Sequence, residues 1–281
     1  MEHFDRLDAV LERFSVRAHQ FHVGALCEVR RFEALPGRGF LHILRAGRLT
    51  VTDGGTTTRD VTEPSLLFYP RPHEHTFRAR PEHGVDLACA SLDFAGGADH
   101  PLVRALPDVL TVPIADVPGV DGSLKLLFGE IDEFRCGHRH VVDRLFEITL
   151  LKLWRWILDH PRDAGLPAGL FTGLSDPPIA RALTTIHADP GHPWTLDALG
   201  AVAALSRSAF AARFRELVGT TPYDYLTAWR MTLAQQYLRD GRPVGWVAAE
   251  LGYTSSSFSR VFAQREGRPP RAWLEAQRPR R

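Results

Sequence analysis

Cysteine is scarce in this chain of 281 residues, which has three cysteines at widely separated positions. Three distant cysteines do not form the dense disulfide framework of small secreted domains, so we expect a reducing compartment. The sequence has no apolar run of the 18 residues that a membrane span needs, and its N-terminus lacks the apolar stretch of a secretion signal. We therefore expect a cytoplasmic protein with no membrane segment, long enough for two domains.

A net charge of one sign is also missing, because the whole chain carries only +1. The charge is unevenly distributed, however. Residues 178–281 contain 14 arginines, no lysine and 8 acidic residues, a net charge of +6, whereas the remainder carries −5. Basic charge favours nucleic acid, since each phosphate contact releases condensed counterions. The C-terminal third is therefore a candidate for DNA binding.

An internal repeat is the strongest pattern in the sequence. Residues 196–226 recur imperfectly as residues 244–274, at a spacing of 48. Apolar residues, glycines and prolines match in the pairs Leu196/Val244, Leu199/Val247, Ala201/Ala249, Phe210/Phe258, Phe214/Phe262, Gly219/Gly267, Pro222/Pro270 and Leu226/Leu274. Such a match predicts a duplicated supersecondary unit.

Each copy is predicted to be a short helix, a tight turn and a second helix. In the first copy Ser206 is the expected N-cap and Gly219 the expected terminator of the second helix. In the second copy Gly252 makes the turn, and Thr254 or Ser255 caps the following helix. One long helix from Pro222 to Leu238 joins the copies. This layout can place a helix in the DNA major groove.

The stretch from about Ile179 to Trp273 resembles the C-terminal DNA-binding domain of AraC/XylS-type transcription regulators. The resemblance rests on Leu196, Ser206, Phe210 and Phe214, on Gly219, Pro222, Tyr225 and Leu226, on Trp229-Arg230-Met231, Ala234 and Leu238, on Ala248 and Leu251-Gly252-Tyr253, and on Ser257-Phe258-Ser259-Arg260-Val261-Phe262, Gly267 and Pro270. It implies two recognition helices in successive major-groove turns of double-stranded DNA, with RNA polymerase as a further partner.

The resemblance also assigns candidate DNA contacts. The base-facing positions are Ser208, Ala211 and Ala212 in the first recognition helix and Ser256, Ser259 and Arg260 in the second. Phosphate contacts are expected from Arg207, Arg213, Arg215, Ser255 and Ser257. Ala211 and Ala212 depart from the family, which often has a polar side chain and an arginine there. Alanine can touch a thymine methyl but donates no hydrogen bond, so the second helix is expected to read more of the sequence directly.

Residues 20 to about 112 are predicted to form a β-sandwich or barrel. Short apolar segments alternate with turns at Gly24–Phe32, Gly39–Leu44, Arg48–Thr52, Ser65–Tyr69, His75–Ala79 and Asp86–Phe94. Asp53-Gly54-Gly55 is a strong hairpin signal. The segments Phe40-Leu41-His42-Ile43-Leu44 with Gly47, and Leu66-Leu67-Phe68-Tyr69-Pro70 with His73-Glu74-His75, resemble the cupin-like sensor domain that often precedes this DNA-binding domain.

In cupins, histidines at these two places point into the barrel and often bind a metal. Here the first motif retains only His42 and lacks its glutamate, which argues against an oxygenase or isomerase site. Cys27 and Cys89, on the first and last strands of this register, can complete a zinc set of Cys27, His42, His75 and Cys89, with His73 as the substitute for His75. Alternatively, Cys27 and Cys89 form a redox pair, or all four residues are ordinary core residues.

Between these regions, Gly122 to His160 is predicted to be a helical hairpin that joins a second subunit, or that merely covers the barrel. The predicted organisation is a cupin-like sensor domain at 1–120, a helical hairpin at 121–160, a Gly- and Pro-rich linker at 161–178 and a double helix-turn-helix domain at 179–275. The fold class is α+β with two domains.

Two classes of function follow from these domains. In the first, the chain is a transcription regulator and not an enzyme, its barrel senses a small molecule, a metal or an oxidant, and it acts as a homodimer. In the second, the barrel is a cupin-type metal-dependent enzyme fused to a DNA-binding domain. The sequence has no GxSxG motif, phosphate-binding loop or HExxH motif, which favours the regulator.

Overall fold

The structure, a computed structural model, describes residues 5–26, 29–55, 57–79, 84–133 and 135–277. It divides into two compact units. One comprises residues 14–166, and the other combines the first 13 residues with residues 167–281. We refer to them as the barrel unit and the helical unit.

Two antiparallel sheets form the barrel unit. The strands are β1 (Val16–Leu26), β2 (Val29–Phe32), β3 (Arg38–Ala46), β4 (Leu49–Asp53), β5 (Thr57–Val61), β6 (Ser65–Tyr69), β7 (His75–Ala79), β8 (Val85–Phe94) and β9 (Leu110–Pro113). The five-stranded sheet has the order β1-β8-β3-β6-β9, and the four-stranded sheet has the order β2-β7-β4-β5. Inward side chains of both sheets pack into one hydrophobic core, which is the physical reason that these apolar segments become strands.

Two long helices complete the barrel unit, α3 (Val120–Asp132) and α4 (His138–Asp159). Helix α4 lies along β1, the outermost strand of its sheet. The carboxylate of Glu147 accepts a hydrogen bond from the Ala18 N–H at 3.1 Å, and that of Asp143 accepts one from the Gln20 N–H at 2.7 Å. The two carboxylates thereby satisfy backbone donors of an edge strand and fix α4 against it.

The helical unit contains α1 (Asp8–Leu11), α5 (Leu170–Ser175), α6 (Pro177–Ala188), α7 (Leu196–Val202), α8 (Arg207–Val218), α9 (Pro222–Arg239), α10 (Val244–Glu250), α11 (Ser255–Glu266) and α12 (Pro270–Gln277); the short helix α2 (Pro101–Arg104) belongs to the barrel unit. The N-terminal segment is held here by hydrogen bonds. Arg13 donates to the Tyr237 hydroxyl at 3.0 Å, and Gln236 donates to the Arg13 carbonyl at 2.6 Å.

Hydroxyl side chains cap the N-termini of four helices of the helical unit, α7, α8, α9 and α11. Thr195, Ser206, Thr221 and Thr254 each accept a hydrogen bond from the backbone N–H three residues later. Such caps satisfy donors that a helix leaves unpaired at its first turn. The predicted Ser206 cap is therefore present, and of the two alternatives in the second copy Thr254 is the cap.

The two turns of the repeat adopt the same left-handed backbone with different residues. Gly252 has φ +73°, and the matching residue 48 positions earlier is Ala204, with φ +55°. Ala204 is the only non-glycine with positive φ among the described residues. A Cβ at Gly252 would overlap the carbonyl oxygen of Gly191, so glycine is required there by space as well as by conformation.

The predicted α+β class, with a β-rich cupin-like domain and a helical domain, is confirmed. The boundaries differ in two places. Residues 5–13 pack with the helical unit and not with the predicted 1–120 domain. The predicted linker at 161–178 contains α5 and the start of α6, because Leu170, Phe171 and Leu174 are buried despite the surrounding glycines and prolines.

Strand bounds also differ from the predictions. Ser65–Tyr69 and His75–Ala79 are as predicted, but the predicted strand at Gly24–Phe32 corresponds to the end of β1 and all of β2, and β5 and β9 were not predicted. The hairpin helices and the long helix between the copies lie where expected.

Within the described residues, none of the helices has both the length and the apolar composition to cross a membrane.

The two turns give a reciprocal test. Replacing Ala204→Gly should raise the free energy of unfolding of the helical unit by about 1 kcal/mol, because left-handed backbone is strained for alanine. Gly252→Ala should lower it by about 2 kcal/mol or more, since strain is joined by overlap with Gly191. Urea unfolding followed by tryptophan fluorescence measures both.

Gly245→Ala is the matched control. Gly245 lies inside α10, and a Cβ there meets open space. This change should not destabilise the unit. An equal loss of stability in Gly245→Ala and Gly252→Ala would contradict our account of the turn.

Candidate functional site

The first recognition helix, α8, buries one face and exposes the other. Phe210, Phe214 and Val218 are buried, whereas Ser208 and Ala212 are exposed and Ala211 is half-buried. The three predicted base-facing residues therefore share the outer face of α8. These three side chains are small, as the sequence shows, so this part of the outer face carries no long polar side chain.

The second recognition helix, α11, has the same arrangement. Phe258 and Phe262 are buried, and Ser256 and Arg260 are exposed, with Ser259 half-buried. The Ser257 hydroxyl is used locally, because it donates to the Thr254 carbonyl at 3.0 Å. Ser257 therefore completes the helix cap, which leaves Ser255 as the more open of the two predicted phosphate-contacting serines.

The three predicted phosphate-binding arginines of α8 have different environments. Arg213 makes hydrogen bonds of 3.1 and 2.5 Å to the carboxylate of Asp176, which itself caps α6. Its hydrogen bond and charge pairing with Asp176 raise the pKa of Arg213. Arg207 lies 3.4 Å from Asp197 in an exposed pair. Arg213 is thus tied to Asp176 within the helical unit, whereas Arg215 has no carboxylate partner among the described residues.

One buried arginine of α9 braces the two copies. Arg230 donates to the Pro190 carbonyl at 2.6 Å and to the His192 carbonyl at 2.9 Å, just before the first copy. Its guanidinium also lies 5.0 Å from the centroid of the Tyr253 ring in the turn of the second copy. Charge-assisted hydrogen bonds and a cation–π contact thereby fix the copies relative to each other. Arg230 belongs to the Trp229-Arg230-Met231 motif, but its structural role was not predicted from the sequence.

In the barrel unit, His42 and His75 meet in the core. Their Nε2 atoms are 2.9 Å apart. Because His75 Nδ1 lies 2.9 Å from the His73 carbonyl oxygen, which only accepts, that nitrogen carries the proton. His75 Nε2 is then the acceptor and His42 Nε2 the donor. His42 Nδ1 is left as an unprotonated, buried nitrogen without a hydrogen-bond partner among the described residues.

The histidine pair is enclosed by aromatic rings and kept neutral. His75 stacks on Tyr69, with ring centroids 3.8 Å apart, and on Phe32 at 4.7 Å. Burial lowers the pKa of His75 to about 4. Burial, followed by the neighbouring His75, lowers the pKa of His42 well below its ordinary value. His75, and not the predicted substitute His73, therefore faces His42.

The predicted zinc set is only partly brought together among the described residues. Cys89 lies directly opposite His42 in the β3–β8 pairing, and burial raises the pKa of its thiol well above the usual range. Cys27 lies outside the described residues. Within the part of the chain that the structure describes, no group of three or more His, Cys, Asp or Glu side chains is arranged to hold a metal ion. Of the predicted zinc ligands, the ones whose side-chain nitrogens the structure brings together are His42 and His75.

The guanidinium of Arg30 is a positive charge close enough to His42 to add to the lowering of its pKa by burial. Arg30 hydrogen-bonds His22 Nδ1 at 2.8 Å and lies over the Phe21 ring at 5.9 Å. His22 is opposite Cys89 in the β1–β8 pairing, after a bulge at Phe21. The row of His22, Cys89 and His42 thus crosses three neighbouring strands. Sequence reasoning missed His22 because the bulge shifts the alternation of β1. It missed Arg30 because the predicted strand at Gly24–Phe32 did not separate β2 from β1.

The comparisons with known proteins agree with this geometry. A cupin family profile matches residues 5–159, and a helix-turn-helix domain profile matches residues 199–276. An AraC-like transcription regulator of Streptomyces antibioticus is 35% identical over 268 residues, which cover 84% of this chain and 88% of that protein. One of Streptomyces lividans is 31% identical, covering 95% and 96%. The HTH-type transcriptional regulator AlkR of Acinetobacter baylyi is 30% identical, covering 69% and 64%.

These relatives are transcription regulators, which confirms the prediction that the chain is a regulator and not an enzyme. The cupin profile covers the strands β1 to β9 and the helices α3 and α4, and the helix-turn-helix profile covers the helices α8 to α11. The chain belongs to the family of AraC-like transcription regulators, with an N-terminal cupin domain and a C-terminal helix-turn-helix domain that binds DNA.

Proposed function

We propose that this regulator binds one specific operator through α8 and α11 and that its barrel receives a chemical signal at the His42–His75 pair. The observation that carries the DNA part is the brace of Arg230, which holds two equivalent helices with their polar faces exposed. Two helices at a fixed spacing can enter neighbouring major-groove turns of one duplex. Such a protein acts in the cytoplasm, together with RNA polymerase at the promoters that it controls.

In this proposal Arg260 makes the most specific base contact, since its exposed guanidinium can donate two hydrogen bonds to guanine. Arg260→Ala should weaken binding to the selected operator by about 1–3 kcal/mol and relax the preference at one base pair. Fluorescence anisotropy with the operator and with single-base variants measures both effects.

Arg162→Ala serves as the control, because it removes the same charge from an exposed position of the barrel unit. This variant should bind as the wild type does. If Arg260→Ala and Arg162→Ala had the same affinity and footprint, Arg260 would not be a base contact.

The signal in the barrel is proposed to be a metal rather than an oxidant. Two imidazole nitrogens that already converge at 2.9 Å suit zinc, which accepts histidine nitrogen and cysteine sulfur. Thiol oxidation requires a thiolate, and the burial of Cys89 opposes its formation, whereas a bound zinc ion itself stabilises the thiolate that ligates it. In this proposal His42 and His75 hold zinc together with Cys89 and Cys27. Zinc would supply a charge that the neutral histidine pair lacks.

We expect freshly purified protein to contain about one zinc ion per chain. His42→Asn and His75→Asn should each lose it, since each removes one of the converging nitrogens, whereas His140→Asn, at an exposed position, should retain it. Elemental analysis measures the metal and circular dichroism confirms folding. A metal-free wild type, or full zinc in both core variants, would overturn the zinc proposal without affecting DNA binding.

The α3–α4 hairpin is proposed to pair with a second copy of the chain. Val141 and Ile148 are seven residues apart on α4, and their side chains are 43% and 42% exposed. Leu126 of α3 is 65% exposed. A seven-residue spacing places Val141 and Ile148 on one helix face, and exposed apolar side chains on one face are typical of an interface between helices.

Ile148→Asp should therefore convert a dimer into a monomer, because it would bury a charge in the interface. Leu35→Asp is the matched control, since Leu35 is a similarly exposed apolar residue of the barrel, 38% exposed. Analytical ultracentrifugation at several concentrations measures the association. A monomeric wild type, or a dimeric Ile148→Asp variant, would show that the hairpin is not the interface.

A further inference from the structure

A cleft of about 600 Å³ opens beside the first recognition helix. Its lining includes Ala211, Ala212 and Arg215 of α8, Trp194 just before α7, and Tyr223 at the start of α9. The cleft therefore lies on the face that carries the predicted base contacts of the first copy.

The second copy has different chemistry at the matching positions. At the spacing of 48, three residues of the cleft, Trp194, Ala212 and Tyr223, correspond to Arg242, Arg260 and Arg271. All three arginines are exposed. Where the second copy presents three cations, the first presents two aromatic rings and a methyl group. The two halves of this domain thus share a fold but differ in charge.

Tyr223 stands out in the cleft because its side chain is 75% exposed, the largest exposure among the exposed large hydrophobic residues of the described chain. Its backbone follows the Thr221 cap at the start of α9. Nothing in the fold of the helical unit requires an aromatic ring at so exposed a position. An exposed ring beside small side chains is suited to contact an apolar surface.

Duplex DNA offers such surfaces beside its phosphates, namely the thymine 5-methyl groups in the major groove and the deoxyribose rings of the strand that borders it. A strand that lies in the cleft would place these groups against Ala211, Ala212 and Tyr223. Arg215, which has no carboxylate partner among the described residues, supplies the complementary charge for a phosphate of that strand. A nucleic-acid strand therefore fits both the apolar lining and the charge.

We infer that the two halves of the DNA-binding domain read the operator by different chemistry. This inference rests on the proposed operator binding. The first copy seats thymine methyl groups and deoxyribose in its cleft, with Arg215 as the cation of that lining, and contributes the smaller part of the salt dependence. The second copy binds through Arg242, Arg260 and Arg271, and carries most of the salt dependence, because each arginine that neutralises a phosphate releases counterions.

Reciprocal exchange of one matched pair tests the inference. The operator is first selected from random duplexes with the full-length protein, and affinity is then measured by anisotropy between 50 and 200 mM salt, a range on the order of that in which such effects are resolved. Tyr223→Arg should steepen the dependence of log K on log salt by about 0.9, the effect of one added phosphate contact. Arg271→Tyr should flatten it by a similar amount. Tyr223→Phe, which keeps the ring, should leave the slope unchanged.

Deoxyuridine tests the methyl contact directly, because it differs from thymidine only by that group. Replacing single thymines in the operator should weaken wild-type binding about fourfold at positions in one half-site. In Ala212→Arg, which inserts the residue of the second copy, the same replacements should have no effect. Ala212 is exposed, so this variant is expected to fold, and circular dichroism verifies it.

The outcomes separate the inference from the function on which it rests. If the wild type selected no operator with a salt-sensitive preference, the proposed function would fail. If an operator were bound but Tyr223→Arg left the slope unchanged and deoxyuridine had no effect, the inference alone would be overturned. In that case the cleft would have another occupant, such as a small aromatic molecule.

Discussion

The buried guanidinium of Arg230 is the interaction on which the arrangement of the helical unit depends. It joins the segment before the first copy to the turn of the second, through two carbonyl oxygens and the Tyr253 ring. The absence of a side chain at Gly252 allows the Gly191 carbonyl to approach closely at the same place. Because a rigid body with two reading helices can match only one groove spacing, this contact converts a duplicated sequence into a single recognition surface.

The barrel unit depends on a comparable contact between elements. A neutral histidine pair in the core joins the two sheets, and two carboxylates of α4 satisfy the free edge of β1. The strand β1 carries both the bulge next to His22 and the N–H groups that α4 binds. A change at the histidine pair therefore has a short route to the helix with the exposed apolar face, from β3 across β8 to β1 and from β1 to α4. This route is a physical basis for coupling, and it lies entirely within the barrel unit.

The sequence predicted the two copies of the repeat and the long helix between them, because repetition doubles each signal, but it did not predict α1 or α5. Phe210 and Phe258, and Gly219 and Gly267, support one another in a way that a single copy does not. The barrel was predicted less completely. The residues of β5 are polar, so apolar alternation could not find it, and the bulge of β1 hid His22. The segment at 161–178 was predicted to be a linker because it is rich in glycine and proline, but it contains α5. Gly173 of this helix is needed for close packing against Leu183 and Val218. The tie of Arg213 to Asp176 joins residues 37 apart, a pairing that local patterns do not encode.

The placement of residues 5–13 in the helical unit has a consequence for the connectivity of the whole chain. The polypeptide leaves the helical unit after Arg13, builds the barrel unit, and returns at Pro167. The barrel unit is therefore an insertion within the helical unit, attached by two covalent connections. A single backbone cleavage between residues 166 and 167 would leave the first connection intact, and a fragment that starts at Pro167 would lose the hydrogen bonds that Arg13 makes to Tyr237 and Gln236.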